Sequence, residues 1–215
     1  MYIPSANAEH RLDVLHRFIE SNPLGSLVTA SPDGMFATHL PLVLDRERGP
    51  HGTLLGHVAR ANPHHRMPSL TAEALVIFTG PDAYVTPSWY PSKREHGKTV
   101  PTWNYVVVHA YGTLRWIADS AWLSAHLDTL TRRHESGRTH PWAVSDAPPD
   151  YVAQQLLAIV GLELELTRIE GKWKMSQNRS SADIDGVVQG LAASADPTDN
   201  VVSALVEERR PRTTD

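Results

Sequence analysis

The spacing of apolar and polar residues predicts one helix followed by several strands in the first 80 residues. Between residues 7 and 20, apolar side chains recur at intervals of three and four, which is typical of an amphipathic helix. Asn22-Pro23 ends this pattern. Later apolar runs predict strands over residues 24–30, 35–44, 53–59 and 73–80, and Ser31-Pro32-Asp33-Gly34 predicts a tight turn between the first two.

The rest of the chain alternates long strands with helices. Residues 102–117 form a β-rich run in which Gly112 is the expected site of a bend. Asp119 or Ser120 is expected to cap a following helix, and residues 150–158 predict a shorter one. Residues 159–170 alternate apolar and polar side chains, which indicates a half-buried strand. These patterns predict an α+β domain over residues 1–192 and a partly disordered C-terminal tail over residues 193–215, with a helical turn at 201–208.

Composition excludes several classes of protein. The 215 residues are 41% hydrophobic and 20% charged, which is ordinary for a globular chain. No stretch approaches the roughly 20 apolar residues that cross a bilayer, and the N-terminus has no apolar signal region, so we expect a cytoplasmic protein without membrane contact. The chain has no cysteine, so redox chemistry requires a bound cofactor.

Net charge and histidine spacing bear on two further functions, nucleic-acid binding and metal binding. A net charge of −4 provides no general attraction to nucleic acid, so direct DNA binding is doubtful. The basic stretches, Arg132-Arg133-His134 and residues 209–212, do not resemble a recognition helix. The 12 histidines show no metal-binding spacing, and no metal site is predicted.

Residues 84–112 concentrate aromatic and hydrogen-bonding side chains around a polar basic loop at residues 93–98. Tyrosine and tryptophan offer a planar ligand a face for stacking and a polar edge for hydrogen bonds. An aromatic hairpin that only packs against the body of the protein explains the same composition. The residues by themselves therefore leave both interpretations open.

The stretch GHVARANPHHRM, residues 56–67, has the layout of an anion site. Asn62 is a good helix cap, and Pro63 is a good first helical residue. Free amide groups at a helix N-terminus bind phosphate, with His57, Arg60 or Arg66 as side-chain partners. Many helices begin with Asn-Pro, so the layout alone does not establish a phosphate site.

Several motifs resemble those of the PaiB-type family of FMN-binding proteins, often described as negative transcriptional regulators. The resemblance covers roughly residues 1–190. Its motifs read THLPLVLD, GHVARANPHHR, PSWYPSK, VPTWNY, VHAYG, and KWKMSQNR followed by D-x-x-G-V. The resemblance implies an FMN-binding split β-barrel with flanking helices, a fold also seen in pyridoxamine-phosphate oxidases. It also implies a homodimer with flavin at the subunit interface.

The resemblance further implies which residues contact the flavin. It directs the phosphate to His57, Arg60 and Asn62, and the ring to Thr38, His39 and the aromatic motifs. The full set of expected FMN contacts is Thr38, His39, His57, Arg60, Asn62, Ser88, Trp89, Trp103, Asn104, Gln177 and Arg179.

The motif KWKMSQNR supplies a dense set of hydrogen-bond donors, namely Lys172, Lys174, Gln177, Asn178 and Arg179. These groups suit phosphate, ribityl hydroxyls or pyrimidine oxygens. The alternative is structural, with Asn178 as the cap of a helix over residues 181–191.

Two functions remain open at this point, and no catalytic residue is assigned. The resemblance favours an FMN-binding homodimer that acts as a transcriptional regulator or a flavin-dependent redox sensor. The alternative is a flavin-dependent oxidoreductase of a small molecule, in which His39, Tyr105 or His109 assists proton transfer. A haem-binding or haem-degrading protein is a less favoured alternative, which the many histidines leave open.

Overall fold

The computed structural model describes residues 1–71 and 73–211, and all element counts refer to these residues. The eight strands are β1 Ala8–Glu9, β2 Leu24–Ser31, β3 Gly34–Pro41, β4 Val43–Asp45, β5 Thr53–Ala59, β6 Glu73–Val85, β7 Thr102–Ile117 and β8 Ile159–Lys174. The six α-helices are α1 Leu12–Ser21, α2 Ser92–His96, α3 Ser120–Glu135, α4 Pro149–Leu157, α5 Ser181–Ala192 and α6 Pro197–Glu208. Short 3-10 helices lie at Ser5–Asn7, Pro63–Arg66, Pro87–Trp89 and Val144–Asp146.

The strands are hydrogen-bonded in the order β3-β2-β6-β7-β8-β5-β4, and β1 pairs with β8. The pairs β2–β3, β2–β6, β4–β5, β5–β8 and β1–β8 are antiparallel. The α+β class predicted from the sequence is confirmed. None of the helices in the described part of the chain has the length and apolar character needed to cross a membrane.

The chain forms two compact units. Unit 1 comprises Met1–Arg11, Thr79–Val108 and Glu170–Asp215, and unit 2 comprises Leu12–Phe78 and His109–Ile169.

In unit 2, the hairpin β2-β3 follows directly from its turn residues. Ser31 pairs with Gly34 across Pro32 and Asp33, and Gly34 adopts a φ of 119°, which favours glycine. The Ser31 hydroxyl donates to the Gly34 carbonyl over 2.9 Å. Pro41 cannot donate to the strand ladder and ends β3, so the single strand predicted over residues 35–44 is divided into β3 and β4.

The core of unit 2 is built from alternate apolar residues of its strands. Fully buried side chains include Leu27, Leu54, Val76, Phe78, Leu162, Leu164 and Leu166. Burial of each such side chain contributes roughly 1.5–3 kcal/mol. The interior of this unit therefore matches the period-two pattern of its strands.

Strand β8 departs from the half-buried pattern because Glu163 is buried with its apolar neighbours. Its carboxylate accepts hydrogen bonds from Arg48 (2.9 Å), from the Trp122 indole (2.8 Å) and from Arg115. The hydrogen bond from Arg48, assisted by those from Arg115 and Trp122, holds the pKa of Glu163 at about 2. A glutamate in an alternating pattern is typical of a solvent-facing position, and its distant partners make burial possible.

Gly112 allows β7 and β8 to approach closely within unit 2. A Cβ at this position would lie 2.2 Å from the Glu165 carbonyl oxygen, so a larger residue does not fit. Strand β7 runs without interruption from Thr102 to Ile117. Gly112 is therefore required for backbone contact, a reason the sequence did not reveal.

In unit 1, several boundaries differ from the sequence prediction. Glu9, expected in the first helix, belongs to β1 and pairs with Gly171. Strand β6 continues through Pro81 and Asp82 to Val85, beyond its predicted end at residue 80. The predicted basic loop is mostly helix α2, which ends at Gly97 in the left-handed region with a φ of 67°.

The predicted C-terminal tail contains a full helix, α6, in unit 1. Val202 and Val206 on this helix are fully buried, and Ser203 Oγ donates to the Val188 carbonyl of α5 over 2.9 Å. The apolar residues of α6 are confined to positions 201–206, so the sequence indicated only a helical turn. Residues 212–215 of the predicted tail lie outside the described residues.

Candidate functional site

Unit 1 contains a pocket of about 210 Å³ that is rich in hydrogen-bond donors. We call it the cationic pocket. Its lining residues are Pro4, Ala6, Asn7, Thr102, Asn104, Lys174, Ser176, Asn178 and Arg179. Asn104 and Arg179 were among the expected FMN contacts, and Lys174 and Asn178 belong to the donor set of the KWKMSQNR motif.

The floor of the cationic pocket is held by an unusual backbone position. Ser176 has a φ of 62°, the only positive φ of a residue other than glycine in the described part of the chain. Its side chain exchanges hydrogen bonds with the buried amide of Asn104 at 3.1 and 3.2 Å. A left-handed serine costs of order 1 kcal/mol, and strained residues of this kind cluster at ligand sites.

Gln177, another expected FMN contact, is committed to the same turn. Its Oε1 accepts from the Met175 amide over 2.7 Å, and its Nε2 donates to the Trp173 carbonyl. Both ends of the Gln177 side-chain amide are therefore used to shape the turn after β8.

Three cations concentrate around the cationic pocket. Lys174 donates to the Thr102 hydroxyl and to the Trp103 carbonyl (2.6 Å). Lys172 Nζ lies 5.1 Å from the centroid of the Tyr105 ring, and the Arg179 guanidinium lies 4.7 Å from that of Tyr90. Burial, together with the charges of Lys172 and Arg179, lowers the pKa of Lys174.

An exposed aromatic pair lies on the surface of unit 1. Tyr84 and Trp103 are 48% and 52% exposed, and their ring centroids are 5.9 Å apart in an edge-to-face arrangement. Beside them is an open apolar depression of about 410 Å³, lined by Thr79, Asp82, Trp103, Tyr105, Val106 and Val107. Flat, exposed aromatic surface of this kind can stack on a planar ligand.

Two other expected FMN contacts in unit 1, Ser88 and Trp89, already contact other parts of the protein. Trp89 packs against α5, because a Cβ on Gly190 would lie 2.3 Å from its indole and one on Gly186 would lie 1.9 Å from its carbonyl oxygen. Ser88 is exposed and accepts a hydrogen bond from Lys93 over 3.3 Å. The glycine of the D-x-x-G-V motif is thus explained by helix packing against the PSWY segment.

Unit 2 holds a second polar cluster, formed by Thr29, Thr38, Asn62 and His64. Asn62 caps the 3-10 helix Pro63–Arg66, as predicted, by accepting from the His64 amide over 3.0 Å. Its Nδ2 donates to Thr38 Oγ1 over 3.1 Å. The His64 ring lies between the two threonine hydroxyls, with Nδ1 2.9 Å from Thr38 Oγ1 and Nε2 2.8 Å from Thr29 Oγ1.

His64 was not among the expected site residues. The only signal in the sequence was that it stands next to a second histidine, His65. The side chain is buried, and burial lowers its pKa. Its ring contacts Phe36 and Trp116 edge to face. A neutral His64 bonded on both sides makes Thr38 and Asn62 a fixed pair, which is the arrangement a positioned ligand contact requires.

The other predicted phosphate ligands of unit 2 are engaged elsewhere. Arg60 donates to the carbonyls of Leu157 (2.7 Å) and Ile159 (2.9 Å). His57 Nδ1 lies 3.2 Å from Nε2 of His126 on α3. Burial lowers the pKa of both histidines, that of His126 to about 4. Within the described residues, neither Arg60 nor His57 hydrogen-bonds to Thr38 or Asn62.

His39 lies on the surface of β3 in unit 2. Its Nδ1 is 2.8 Å from the Ser26 hydroxyl on the neighbouring strand β2. The imidazole is exposed to solvent.

Comparison with known proteins identifies related sequences over nearly the whole chain. Residues 1–168 match the family described as "Putative FMN-binding domain". The chain is 32% identical to the Bacillus subtilis protein named "Protease synthase and sporulation protein PAI 2", over 97% of this chain and 98% of that protein. It is 34% identical to "Uncharacterized protein AN0679" of Emericella nidulans, over 97% of each.

Solved structures show the same fold at low sequence identity. The FAD and heme binding protein from Mycobacterium smegmatis matches with a TM-score of 0.57 and 18% identity, over 83% of this chain and 79% of that chain. The flavocytochrome Anf3 from Azotobacter vinelandii matches with a TM-score of 0.55 and 14% identity, over 77% and 68%. The split β-barrel implied by the sequence motifs is confirmed as the fold.

Proposed function

Because the chain belongs to the PaiB-type family of FMN-binding split-barrel proteins, with FMN as its cofactor, we propose that it acts as a homodimeric redox sensor in transcriptional regulation. When bound, FMN supplies the electron-transfer chemistry, and the protein supplies binding, orientation and the electrostatic environment. The name of the B. subtilis relative, which refers to protease synthesis and sporulation, supports a regulatory role.

The observation that carries this proposal is the exposed pair of Trp103 and Tyr84 beside an open apolar depression in unit 1. Large aromatic side chains that are about half exposed leave apolar surface in water, and a planar ring stacked on them removes it. The isoalloxazine ring of FMN is planar and largely apolar, so these residues fit it. In the proposed homodimer, a second copy of the chain closes over the ring and covers the same surface.

Some of the proposed FMN contacts have side chains that are available to a ligand, and others are already bonded within the protein. Trp103 and Arg179 in unit 1, and Thr38, His39 and Asn62 in unit 2, have exposed or polar atoms that suit a ligand. The remaining proposed contacts already have structural roles, and act on the cofactor by shaping backbone and turns. These are His57, Arg60, Ser88, Trp89, Asn104 and Gln177.

Three of the basic side chains that could contact DNA are engaged in contacts within the protein. Arg133 donates to the Glu20 carbonyl over 2.9 Å in unit 2. In unit 1, Arg209 pairs with Glu9 at 2.6 Å, and Arg210 pairs with Asp185 at 2.7 Å. Together with a net charge of −4, these pairs favour an indirect route to transcription through a metabolite or redox signal.

The test begins with a titration of apo-protein with FMN, followed by absorbance and fluorescence. Anaerobic addition of NAD(P)H then shows whether the bound flavin accepts electrons, and light scattering gives the mass of the oxidised and reduced forms. A redox sensor requires tight FMN binding, a dimer and a measurable midpoint potential. Absence of FMN binding would overturn the proposal, and a DNA gel shift that weakens steeply with salt would replace the indirect route by direct binding.

A flavin-dependent oxidoreductase is the second candidate, favoured by the exposed imidazole of His39. Its hydrogen bond to Ser26 orients the ring on the strand surface, as a proton donor to a small substrate would require. Steady consumption of NAD(P)H with an added electron acceptor, lost in His39→Gln, would favour this enzyme over the sensor.

A further inference from the structure

The cationic pocket of unit 1 carries positive charge that no carboxylate balances. In the described part of the chain, neither Lys172, Lys174 nor Arg179 forms an ion pair, although Lys172 is only 8% exposed. Buried cations are normally paired, because leaving water without a counter-charge is unfavourable. The arrangement therefore calls for an anion from outside the chain.

The pocket also holds hydrogen-bond donors that the fold leaves unused. An ammonium group has three donors, and Lys174 uses two of them, on Thr102 and on the Trp103 carbonyl. Ser180, and not Asn178, caps helix α5, by accepting from the Asp183 amide over 3.2 Å. The Asn178 side chain is exposed, and it has no hydrogen-bond partner among the described residues.

Arg179 completes the set of donors. Its guanidinium lies over the Tyr90 ring and makes no salt bridge to a described carboxylate. This contact with the aromatic face holds the guanidinium in position, and the N–H groups that do not face the Tyr90 hydroxyl remain available for a ligand. Lysine, arginine and asparagine together offer both charge and several directed donors, which a phosphate with its three terminal oxygens satisfies better than a carboxylate.

We propose that the cationic pocket binds a phosphate monoester through Lys174, Asn178 and Arg179, with Lys172 adding to the positive field. Two sources share this chemistry: the phosphate of FMN itself, or a free phosphorylated metabolite that acts as the signal. The first source rests on the proposed flavin function, and the second does not. The pocket volume of about 210 Å³ suits a phosphate group with a few attached atoms.

The pocket differs from the phosphate loop that the sequence predicted. At that loop, the Arg60 guanidinium already donates to two backbone carbonyls, whereas the donors of the cationic pocket remain available. The charged group of the ligand is therefore assigned to the turn after β8 in unit 1.

The experiment compares Lys174→Met with Lys98→Met, a matched loss of one exposed lysine in the same unit that does not line the pocket. Wild type and both variants are titrated by calorimetry with inorganic phosphate, FMN and riboflavin. A charge-assisted hydrogen bond to phosphate predicts about 10- to 100-fold weaker phosphate binding in Lys174→Met, and no change in Lys98→Met. Asn178→Ala, on an exposed residue with no internal bonds, should weaken binding in the same direction without affecting folding.

The three ligands separate the two sources. If FMN affinity falls in Lys174→Met while riboflavin affinity is unchanged, the pocket holds the flavin phosphate. If only inorganic phosphate binding falls, the pocket serves a free phosphorylated ligand. Unchanged binding of both phosphate and FMN in folded Lys174→Met and Asn178→Ala, or equal losses in Lys98→Met, would overturn the proposal. A wild type that binds phosphate but not FMN would overturn the flavin function and leave the pocket standing.

Discussion

The side chains of Asn104 and Ser176 exchange hydrogen bonds at 3.1 and 3.2 Å, and this pair holds Ser176 at a φ of 62°. Asn104 is fully buried on β7, while Ser176 follows β8, so the pair joins two distant parts of the sequence within unit 1. The Asn104 amide therefore helps to hold the floor of the cationic pocket.

Removal of that amide by Asn104→Ala should lower the free energy of unfolding by about 1–3 kcal/mol, because Ser176 loses its partner and keeps its strain. Urea denaturation measures the change. Asn178→Ala is the matched control, because this asparagine is exposed and follows Ser176 closely in the sequence. It should leave the free energy of unfolding within about 0.5 kcal/mol of wild type. Equal stability of Asn104→Ala and wild type would show that the pair does not hold the turn.

Gly186→Ala should destabilise unit 1, since the new Cβ would lie 1.9 Å from the Trp89 carbonyl oxygen. The gain in helix propensity from glycine to alanine is about 1 kcal/mol, and displacement of backbone in a packed region costs about 1–3 kcal/mol, so the clash should dominate. Thermal unfolding provides the measurement. Gly137→Ala, where nothing lies within 4 Å of the added methyl, should be neutral or slightly stabilising.

The charge of Glu163 should stabilise the folded protein, and this stabilisation should be lost in acid. Its pKa is about 2 in the folded protein and near 4.5 when unfolded, so its contribution is complete above pH 4.5 and is lost as pH falls toward 2. The contribution is about 1–3 kcal/mol, since partners Arg48 and Arg115 are partly exposed.

Glu163→Gln tests this dependence by removing the charge while keeping the side-chain shape. The stability difference between wild type and variant, measured by denaturant unfolding from pH 7 to pH 2.5, should shrink as the pH falls. Glu47→Gln, on an exposed glutamate, serves as the control and should follow the wild-type curve. A difference that stays constant across this range would exclude a charge-dependent role.

His126 should remain neutral in the folded protein down to about pH 4, because burial and the neighbouring His57 lower its pKa. The unfolded chain takes up this proton near pH 6.5, so stability should decline as pH falls from 6.5 to 4. NMR titration of the imidazole gives the folded pKa directly. In His126→Phe, the decline over this range should be smaller, and an unchanged decline would assign it to other groups.

Trp103→Ala should weaken FMN binding by about tenfold or more, since stacking of a planar base on an aromatic side chain contributes about 1–3 kcal/mol. Fluorescence titration with FMN measures the affinity. Trp142→Ala is a close control, because Trp142 in unit 2 is 49% exposed, about as much as Trp103. Similar losses in both variants would indicate a general effect of removing exposed tryptophan.

Much of the local structure could be predicted because its causes are local. Strands β5 and β7 have the bounds that their apolar patterns indicated, and the caps at Asn62 and Asp119 follow from side-chain chemistry that acts over two or three residues. The short motifs also carried enough information to identify the family and its cofactor.

The roles of individual polar residues were harder to predict, because they depend on partners far away in the chain. Glu163 looked solvent-facing until Arg48, Arg115 and Trp122 surrounded it. Arg60 was a predicted phosphate ligand, yet its guanidinium donates to the carbonyls of Leu157 at the end of α4 and Ile159 at the start of β8. Asn178 was predicted either to contact the ligand or to cap the following helix, and Ser180 fills the cap position.

The sequence by itself determined the strand and helix pattern, the family and the identity of the cofactor, since hydrophobic period, turn chemistry and motifs are properties of neighbouring residues. Only the tertiary structure decided that Lys174, Asn178 and Arg179 share a pocket with Asn104 and Thr102. The physical reason is that strand register and packing bring together residues about 70 positions apart, and no local pattern specifies that distance.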